Sequence, residues 1–280
     1  MSAVAIPLEA PGGPDYVRAR LASGLLSVAL GLGTVLVVGP ILVVVMVSFS
    51  NGETFAFPPP GLSLRWFRLF FDTPSLTSAL LLSVQIALLS SVVATVLALM
   101  AASALVRLPS PKLSAVLQSA FLAPLVFPTI VLGLSLLLFY RVTGINLTMG
   151  LVLAHVTVAL PYAFRSIIAE LTAFDAVLSE AAANLGANPW RNLVYVTLPL
   201  IWPGLLSGWI FAFVVSIGEL NTSLFLTGPG FTTLPIEIFG YLQFEGAQLI
   251  IAAASTVQIG IVIALFATIQ AVGHLARRRA

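Results

Sequence analysis

The sequence predicts an all-α integral membrane protein with six spanning helices. Of 280 residues, 59% are hydrophobic and only 8% are charged, and the apolar residues fall in continuous runs. A soluble domain carries about a quarter of its residues charged. A spanning helix needs about 20 consecutive apolar residues. The alternation that marks the strands of a membrane β-barrel is missing. Cysteine is absent, which excludes disulfides and thiolate metal sites. A net charge of +2 gives no sign of nucleic acid as a partner.

Residues 1–21 carry Glu9, Asp15 and a Pro-Gly-Gly-Pro stretch. They lack the basic start and short apolar core of a cleaved signal peptide, and read as a disordered cytoplasmic tail. Residues 22–276 form the membrane domain, with spans at about 22–48, 77–105, 113–140, 148–171, 200–226 and 248–273. After span one, Pro58, Pro59 and Pro60 stiffen an outer loop, and Trp66 and Phe67 suit the membrane interface. In span two Ala94, Ala98, Ala101 and Ala102 suit close contact between helices in lipid.

Span three carries Pro124 and Pro128, which mark kinks; Pro128 is therefore a candidate for the translocation pathway. Span four holds His155. A histidine inside the membrane suggests proton transfer, but with no carboxylate nearby in sequence a hydrogen-bonded packing residue is the simpler reading. Arg165 and Glu170 near the inner end of that span read as interfacial charges that snorkel. Span five holds Glu219, roughly 9 Å beyond its midpoint toward the outer side at 1.5 Å per residue. Burying a carboxylate there is costly, so it is expected to face the bundle interior, a wet path or a partner subunit. The outer segment after Gly228-Pro229-Gly230 is mixed and aromatic, and Ile236 to Phe244 suits a short interfacial helix. Residues 277–280 form a basic cytoplasmic end.

Basic residues set the orientation. With the N-terminus inside, Arg18, Arg20, Arg107, Lys112, Arg165, Arg191, Arg277, Arg278 and Arg279 fall on the inner side, and Arg65, Arg68 and Arg141 on the outer, nine against three. Both termini and the connection 173–199 are then cytoplasmic.

That connection is the most informative stretch. Phe174, Val177, Leu178, Ala181, Ala182 and Leu185 recur at i, i+3, i+4, i+7, i+8 and i+11, one apolar stripe on a short helix, with Ser179, Glu180 and Asn184 on the other face. Thr172 or Asp175 can cap its start and Gly186 can end it. Pro189 forbids simple continuation, and Trp190 to Tyr195 suits a second short turn of helix. The result is a helix–turn–helix knob outside the membrane; an amphipathic connector lying on the lipid is the plainer alternative.

Chemistry is absent where an enzyme or a self-powered transporter would need it. The single lysine, Lys112, follows Ser110-Pro111, so there is no phosphate-binding loop lysine. No His-Glu-x-x-His, Gly-x-Ser-x-Gly or metal-ligand cluster occurs, and no enzyme activity, bound cofactor or metal is expected. The two halves show no convincing repeat of the kind common in secondary transporters, and nothing suggests a channel filter.

Glu180-Ala181-Ala182, three residues, Gly186, nine residues, then Val196-Thr197-Leu198-Pro199 closely resembles the EAA loop of ABC-importer permeases. Phe57 to Phe67 (FPPPGLSLRWF) and the Ala154-His155…Leu160-Pro161-Tyr162-Ala163-Phe164-Arg165 pattern resemble the polyamine-type subgroup of the same family. The resemblance implies a type I ABC importer permease with the MetI-like fold, in the bacterial inner membrane. It implies a cytoplasmic ABC ATPase dimer as partner, which binds the ATP, with a second and usually distinct permease subunit and an extracytoplasmic substrate-binding protein. It implies that Glu180, Ala181, Ala182, Gly186, Leu198 and Pro199 couple this chain to the ATPase. It favours spermidine or putrescine as solute, with phosphonate, ferric iron or another small organic solute as alternatives. Acidic residues are common in such relatives around Glu219, but here the neighbour is Gly218 and a paired acidic site is not reproduced. An ATP-independent secondary transporter is the competing class, distinguished by failure to copurify an ATPase.

Overall fold

A computed structural model describes residues 14–244 and 248–279. Most of the expected tail 1–21, and the side chains and end of the basic segment 277–280, lie outside the described residues. Among the described residues the regular structure is helical, with isolated bridges Ser50–Leu62 and Gly228–Phe231 in the loops.

Helix α1 (Pro14–Ser48) is a long apolar span whose main contact in the chain is with the last helix. Its side chains from Leu21 to Val37 are largely uncovered by the chain, as suits a helix facing lipid. The loop that follows contains a helix not foreseen from the sequence, α2 (Arg65–Asp72). It is strongly amphipathic: Phe70 is buried, while Leu69 and Phe71 are exposed. Arg65 lies over the Trp66 ring at 4.4 Å and donates to the Gly52 carbonyl at 2.8 Å, fastening the helix to the loop. Eight residues are too short a run for a hydropathy window to register, which is why an interfacial helix hid in this loop.

Helix α3 (Pro74–Leu105) crosses the bundle, and α4 (Pro111–Leu122) starts on a Ser110 cap whose side chain accepts from the Leu113 N–H. A 3₁₀ turn at Ala123–Leu125 leads to a break, and α5 (Thr129–Thr143) departs at 98°. The third span is thus two helices and not one. Pro124 and Pro128 explain it: neither offers an N–H to an α-helical ladder, and Pro128 becomes the N-cap position of α5. Helix α6 (Leu147–Ala173) begins on the Asn146 side chain and tolerates Pro161 within its length.

The knob follows as α7 (Ala176–Asn184), α8 (Pro189–Asn192), a π-helical turn at Leu193–Thr197 and α9 (Leu198–Leu200). Helix α10 (Trp202–Ile217) leaves this assembly at 74°. The fifth span therefore also departs from the expected single helix 200–226. It stops at Ile217, turns through Gly218–Thr222, and resumes as α11 (Ser223–Leu226). The short helix expected at Ile236 to Phe244 forms as α12 (Leu234–Phe244), and α13 (Gln248–Arg279) closes the bundle.

Among the described residues four helices are long and apolar enough to cross a membrane, and each of the two bent pairs can supply one more span. The chain is a multi-pass membrane protein built on six apolar segments, two of them broken.

The core is the mutual packing of α3, α6 and α10. Ala94, Ala98 and Ala102 of α3 are fully buried against Ala159, Ala163 and Phe164 of α6 and Ala212 of α10. In lipid no hydrophobic force pushes helices together, so small residues that admit close backbone approach do that work. Gly204 and Gly208 of α10 form such a pair. A Cβ on Gly208 would lie 3.1 Å from the Ala163 carbonyl oxygen and 3.3 Å from the Ala163 Cα. Beside it Ser166 donates to the Gly204 carbonyl at 3.1 Å and pairs with Ser207 at 2.6 Å. Gly208→Val is expected to destabilise the bundle by about 1–3 kcal/mol, the usual cost of overpacking. Thermal unfolding in detergent would show it as a lowered midpoint.

Candidate functional site

Two regions at opposite ends of α6 gather the residues that the sequence singles out. Ala173, at one end, precedes the knob; His155 lies 18 residues earlier, roughly 27 Å along the helix at 1.5 Å per residue.

The knob is built by caps. The Asp175 carboxylate accepts from the Val177 N–H at 3.0 Å and opens α7; Thr172 turns its hydroxyl back onto the Ile168 carbonyl instead. At the other end Gly186 takes φ = 85°, the left-handed conformation glycine adopts without penalty. Its N–H donates to the Ala183 carbonyl at 2.9 Å, and the Ala187 N–H to Ala182 at 3.0 Å, the paired bonds of a Schellman stop. Asn188 then caps α8, accepting from the Arg191 N–H at 2.8 Å, with Pro189 in the first turn. Asn192 donates to the Ser179 carbonyl and hydroxyl, tying the two short helices together.

The orientation of α7 differs from a simple amphipathic reading. Val177, Leu178, Ala181 and Leu185 are exposed, and Leu185 is 89% exposed. The side turned inward is that of Ser179 and Ala182, because Ser179 is the partner of Asn192. Val177, Leu178, Ala181 and Leu185, together with the exposed Trp190 and Tyr195, give the knob an outward apolar surface that the described residues do not cover. Glu180 is exposed beside it.

Leu198 packs against the main core and Pro199 sits exposed at the junction. The proline has no N–H for the ladder, and the chain takes up the mismatch in the π turn, where the Leu198 N–H reaches back to the Leu193 carbonyl. A cavity of about 490 Å³ lies between the knob residues Ser179 and Thr197, Arg107 of the α3–α4 connection, and Ser114 and Gln118 of α4. The knob is thus in register with two span ends at once.

At the other end lies the break between α10 and α11. Glu219 is buried but is not inside a helix; it falls just past the end of α10. Its carboxylate accepts from the Thr222 N–H at 3.0 Å, which explains how a charge-bearing side chain is held there. His155 is buried, with Nδ1 2.8 Å from the Ser216 hydroxyl and Nε2 2.9 Å from the Ser223 hydroxyl. Ser216 also meets Ser90 of α3 at 2.8 Å. Gln258 of α13 donates to the Ile217 carbonyl at 3.1 Å.

The second broken span is drawn to the same place. Asn221 donates to Thr129 at 2.7 Å, and a Cβ on Gly133 would stand 2.8 Å from the Thr222 Cα. His155 and Glu219 therefore share one site through Ser223, and Pro128 adjoins it through Thr129. Ser90, Ser216, Asn221, Ser223 and Gln258 were not legible as site residues from the sequence. The signal was there: Ser216, Glu219, Thr222 and Ser223 interrupt an otherwise apolar run, and polar groups at membrane depth seek one another.

Residues 94–279 match the family described as binding-protein-dependent transport system inner membrane component. The chain is 34% identical over 227 residues to the spermidine/putrescine transport system permease protein PotC of Haemophilus influenzae, covering 81% of this chain and 87% of that protein. It is 35% identical over 242 residues to the putrescine transport system permease protein PotI of Escherichia coli, covering 84% and 85%. Among solved structures, a bacterial ABC transporter involved in import of the polysaccharide alginate shares the fold, with a TM-score of 0.65 at 16% identity, over 94% of this chain and 97% of that one.

Proposed function

The chain belongs to the binding-protein-dependent transport system inner membrane component family, and from its likeness to PotC and PotI we propose that it imports polyamines, spermidine or putrescine. It is a transmembrane subunit of an ABC importer and forms part of the solute path. The identity to PotC and PotI over most of the chain is the single observation that carries the solute class.

The assembly we propose has two copies of a cytoplasmic ATPase, a second permease subunit and an extracytoplasmic substrate-binding protein. The family's dependence on a binding protein supports the last of these. The uncovered apolar patch of Val177, Leu178, Leu185, Trp190 and Tyr195 supports the first, since a membrane protein exposes such a cluster outside its spans for a partner. In this reading Ala181 and Gly186 keep the knob slim, Glu180 adds a polar contact, and Leu198 with Pro199 carries the movement into α10. ATP binds to the partner, both termini face the cytoplasm, and the chain itself needs no cofactor and catalyses no reaction.

The test is ATPase activity of the whole complex in lipid, with its binding protein and with spermidine, putrescine, an aminophosphonate or ferric iron added in turn. Stimulation by the two polyamines alone is the expected result. Stimulation by the aminophosphonate or iron instead would move the solute assignment while leaving the permease intact.

A further inference from the structure

The hydroxyl and imidazole groups around the α10–α11 break form a chain whose direction can be worked out. Ser223 has one hydroxyl proton, and it is given to the Glu219 carbonyl at 3.1 Å, an atom that can only accept. Toward His155, Ser223 must therefore accept, so Nε2 carries the ring proton. In the neutral ring Nδ1 is then the acceptor and takes the proton of Ser216, whose oxygen in turn accepts from Ser90 at 2.8 Å, a shorter contact than the 3.4 Å between the Ser90 hydroxyl and the Ala87 carbonyl. The sequence of donors runs Ser90, Ser216, His155, Ser223, and ends on the backbone of Glu219. Ser216, His155 and Ser223 each donate once and accept once, and the ring is in its Nε2–H tautomer.

This chain spans α3, α6, α10 and α11, and His155 is its only member that touches both edges of the break. Ser216 is the penultimate residue of α10 and Ser223 the first of α11. An imidazole bonded at both nitrogens fixes the distance between those two residues across five residues of non-helical chain. Without it the turn keeps the Glu219–Thr222 bond, which is local, the Gln258 bond, which holds the α10 side alone, and the Asn221–Thr129 bond to α5, which the cysteine pair below replaces.

We propose that His155 is a positioning residue: it holds the break between α10 and α11 at a set place against α5, and so places Glu219 and Asn221 at the end of the bundle opposite the knob. It does so as a neutral strut and does not carry protons. The proposal rests on reading the chain as an ATP-driven permease, but its test does not depend on the solute.

The chain has no cysteine, so a pair can be introduced without background. Thr129→Cys with Asn221→Cys replaces a contact of 2.7 Å between α5 and the break. Its disulfide yield in the assembled complex in lipid reports where the break sits. In that background His155→Leu, which fills space but bonds to nothing, is expected to slow cross-linking about tenfold, the order of a buried hydrogen bond left unmade. Ser223→Ala is expected to do the same, which keeps the test open should the leucine variant not assemble. His155→Gln, whose amide N–H can still donate to Ser223, is expected to stay within about threefold of the parent and to retain uptake. Copurification of the ATPase, read at the far end of α6, serves as the folding control. Parental cross-linking in both His155→Leu and Ser223→Ala would overturn the proposal and leave the ring as packing. Loss of uptake in His155→Gln with cross-linking intact would overturn it in favour of proton transfer. Absence of polyamine stimulation in the unmodified complex would count against the solute assignment alone.

Discussion

Gly186→Asp is expected to leave the chain inserted and folded while the amount of copurifying ATPase falls at least about tenfold, a loss of about 1.4 kcal/mol or more. The position separates folding from docking. Among the described residues nothing beyond its chain neighbours lies within 4 Å of a Cβ placed there, so the substitution meets no clash with them. The left-handed backbone at φ = 85° penalises most side chains by roughly 1–2 kcal/mol, but Asp is among the few that visit it. The Schellman stop should therefore survive, and the new feature is a carboxylate next to Leu185 at the tip of an apolar patch. Sealing that patch against a partner would bury the charge unpaired, which costs several kcal/mol in order of magnitude. Copurification from detergent, with chain abundance in the membrane as the control, reads both halves of the expectation.

Gly133→Val is expected to cut uptake by about tenfold or more while ATPase copurification stays at the parental level. A Cβ at this position would stand 2.8 Å from the Thr222 Cα, 3.0 Å from the Phe225 ring and 3.2 Å from the Asn221 carbonyl oxygen. Two of those three atoms are backbone and cannot rotate aside, so α5 and the break must separate. Overpacking of this kind costs about 1–3 kcal/mol, enough to shift a conformational equilibrium by one to two powers of ten. The knob makes none of these contacts; it begins roughly 27 Å along α6 from His155. Gly260→Val is the matched control: nothing lies within 4 Å of its Cβ position, and uptake should be unchanged. Parental uptake in Gly133→Val would remove the α5–break contact from the working parts.

How far the sequence revealed this molecule can be judged element by element. The four unbroken spans α1, α3, α6 and α13 were legible because continuous apolar length is a direct requirement of the bilayer. The knob was legible because each boundary has its own local chemistry: Asp175 to start, Gly186 to stop, Asn188 and Pro189 to restart. The breaks were harder. Pro128 announced a kink, but proline fixes only where a ladder fails, not the 98° at which the chain departs. Gly218 gave weaker warning still, since glycine is common inside membrane helices. Glu219 was placed inside a helix for that reason, and its role as acceptor for the Thr222 N–H could not be seen.

The face of α7 shows a different limit. A 3.6-residue period identifies an apolar stripe but not what covers it. In most helices the answer is the chain's own core; here Ser179 is claimed by Asn192, and the stripe turns outward. The serines around His155 show a third. Ser90, Ser216 and Ser223 belong to three helices, and no spacing along the chain could say that one imidazole collects them.

The proposed role of this chain requires that the knob dock a cytoplasmic ATPase. Leu185→Cys places a single thiol on a cysteine-free chain at a side chain that is 89% exposed. Its labelling rate by a membrane-impermeant maleimide, in inside-out vesicles with and without the co-expressed ATPase, tests that claim most directly. Rapid labelling of the chain alone and protection by about tenfold or more in the complex is the expected result, the mark of a side chain at the centre of an interface. Equal rates with and without the ATPase would contradict it.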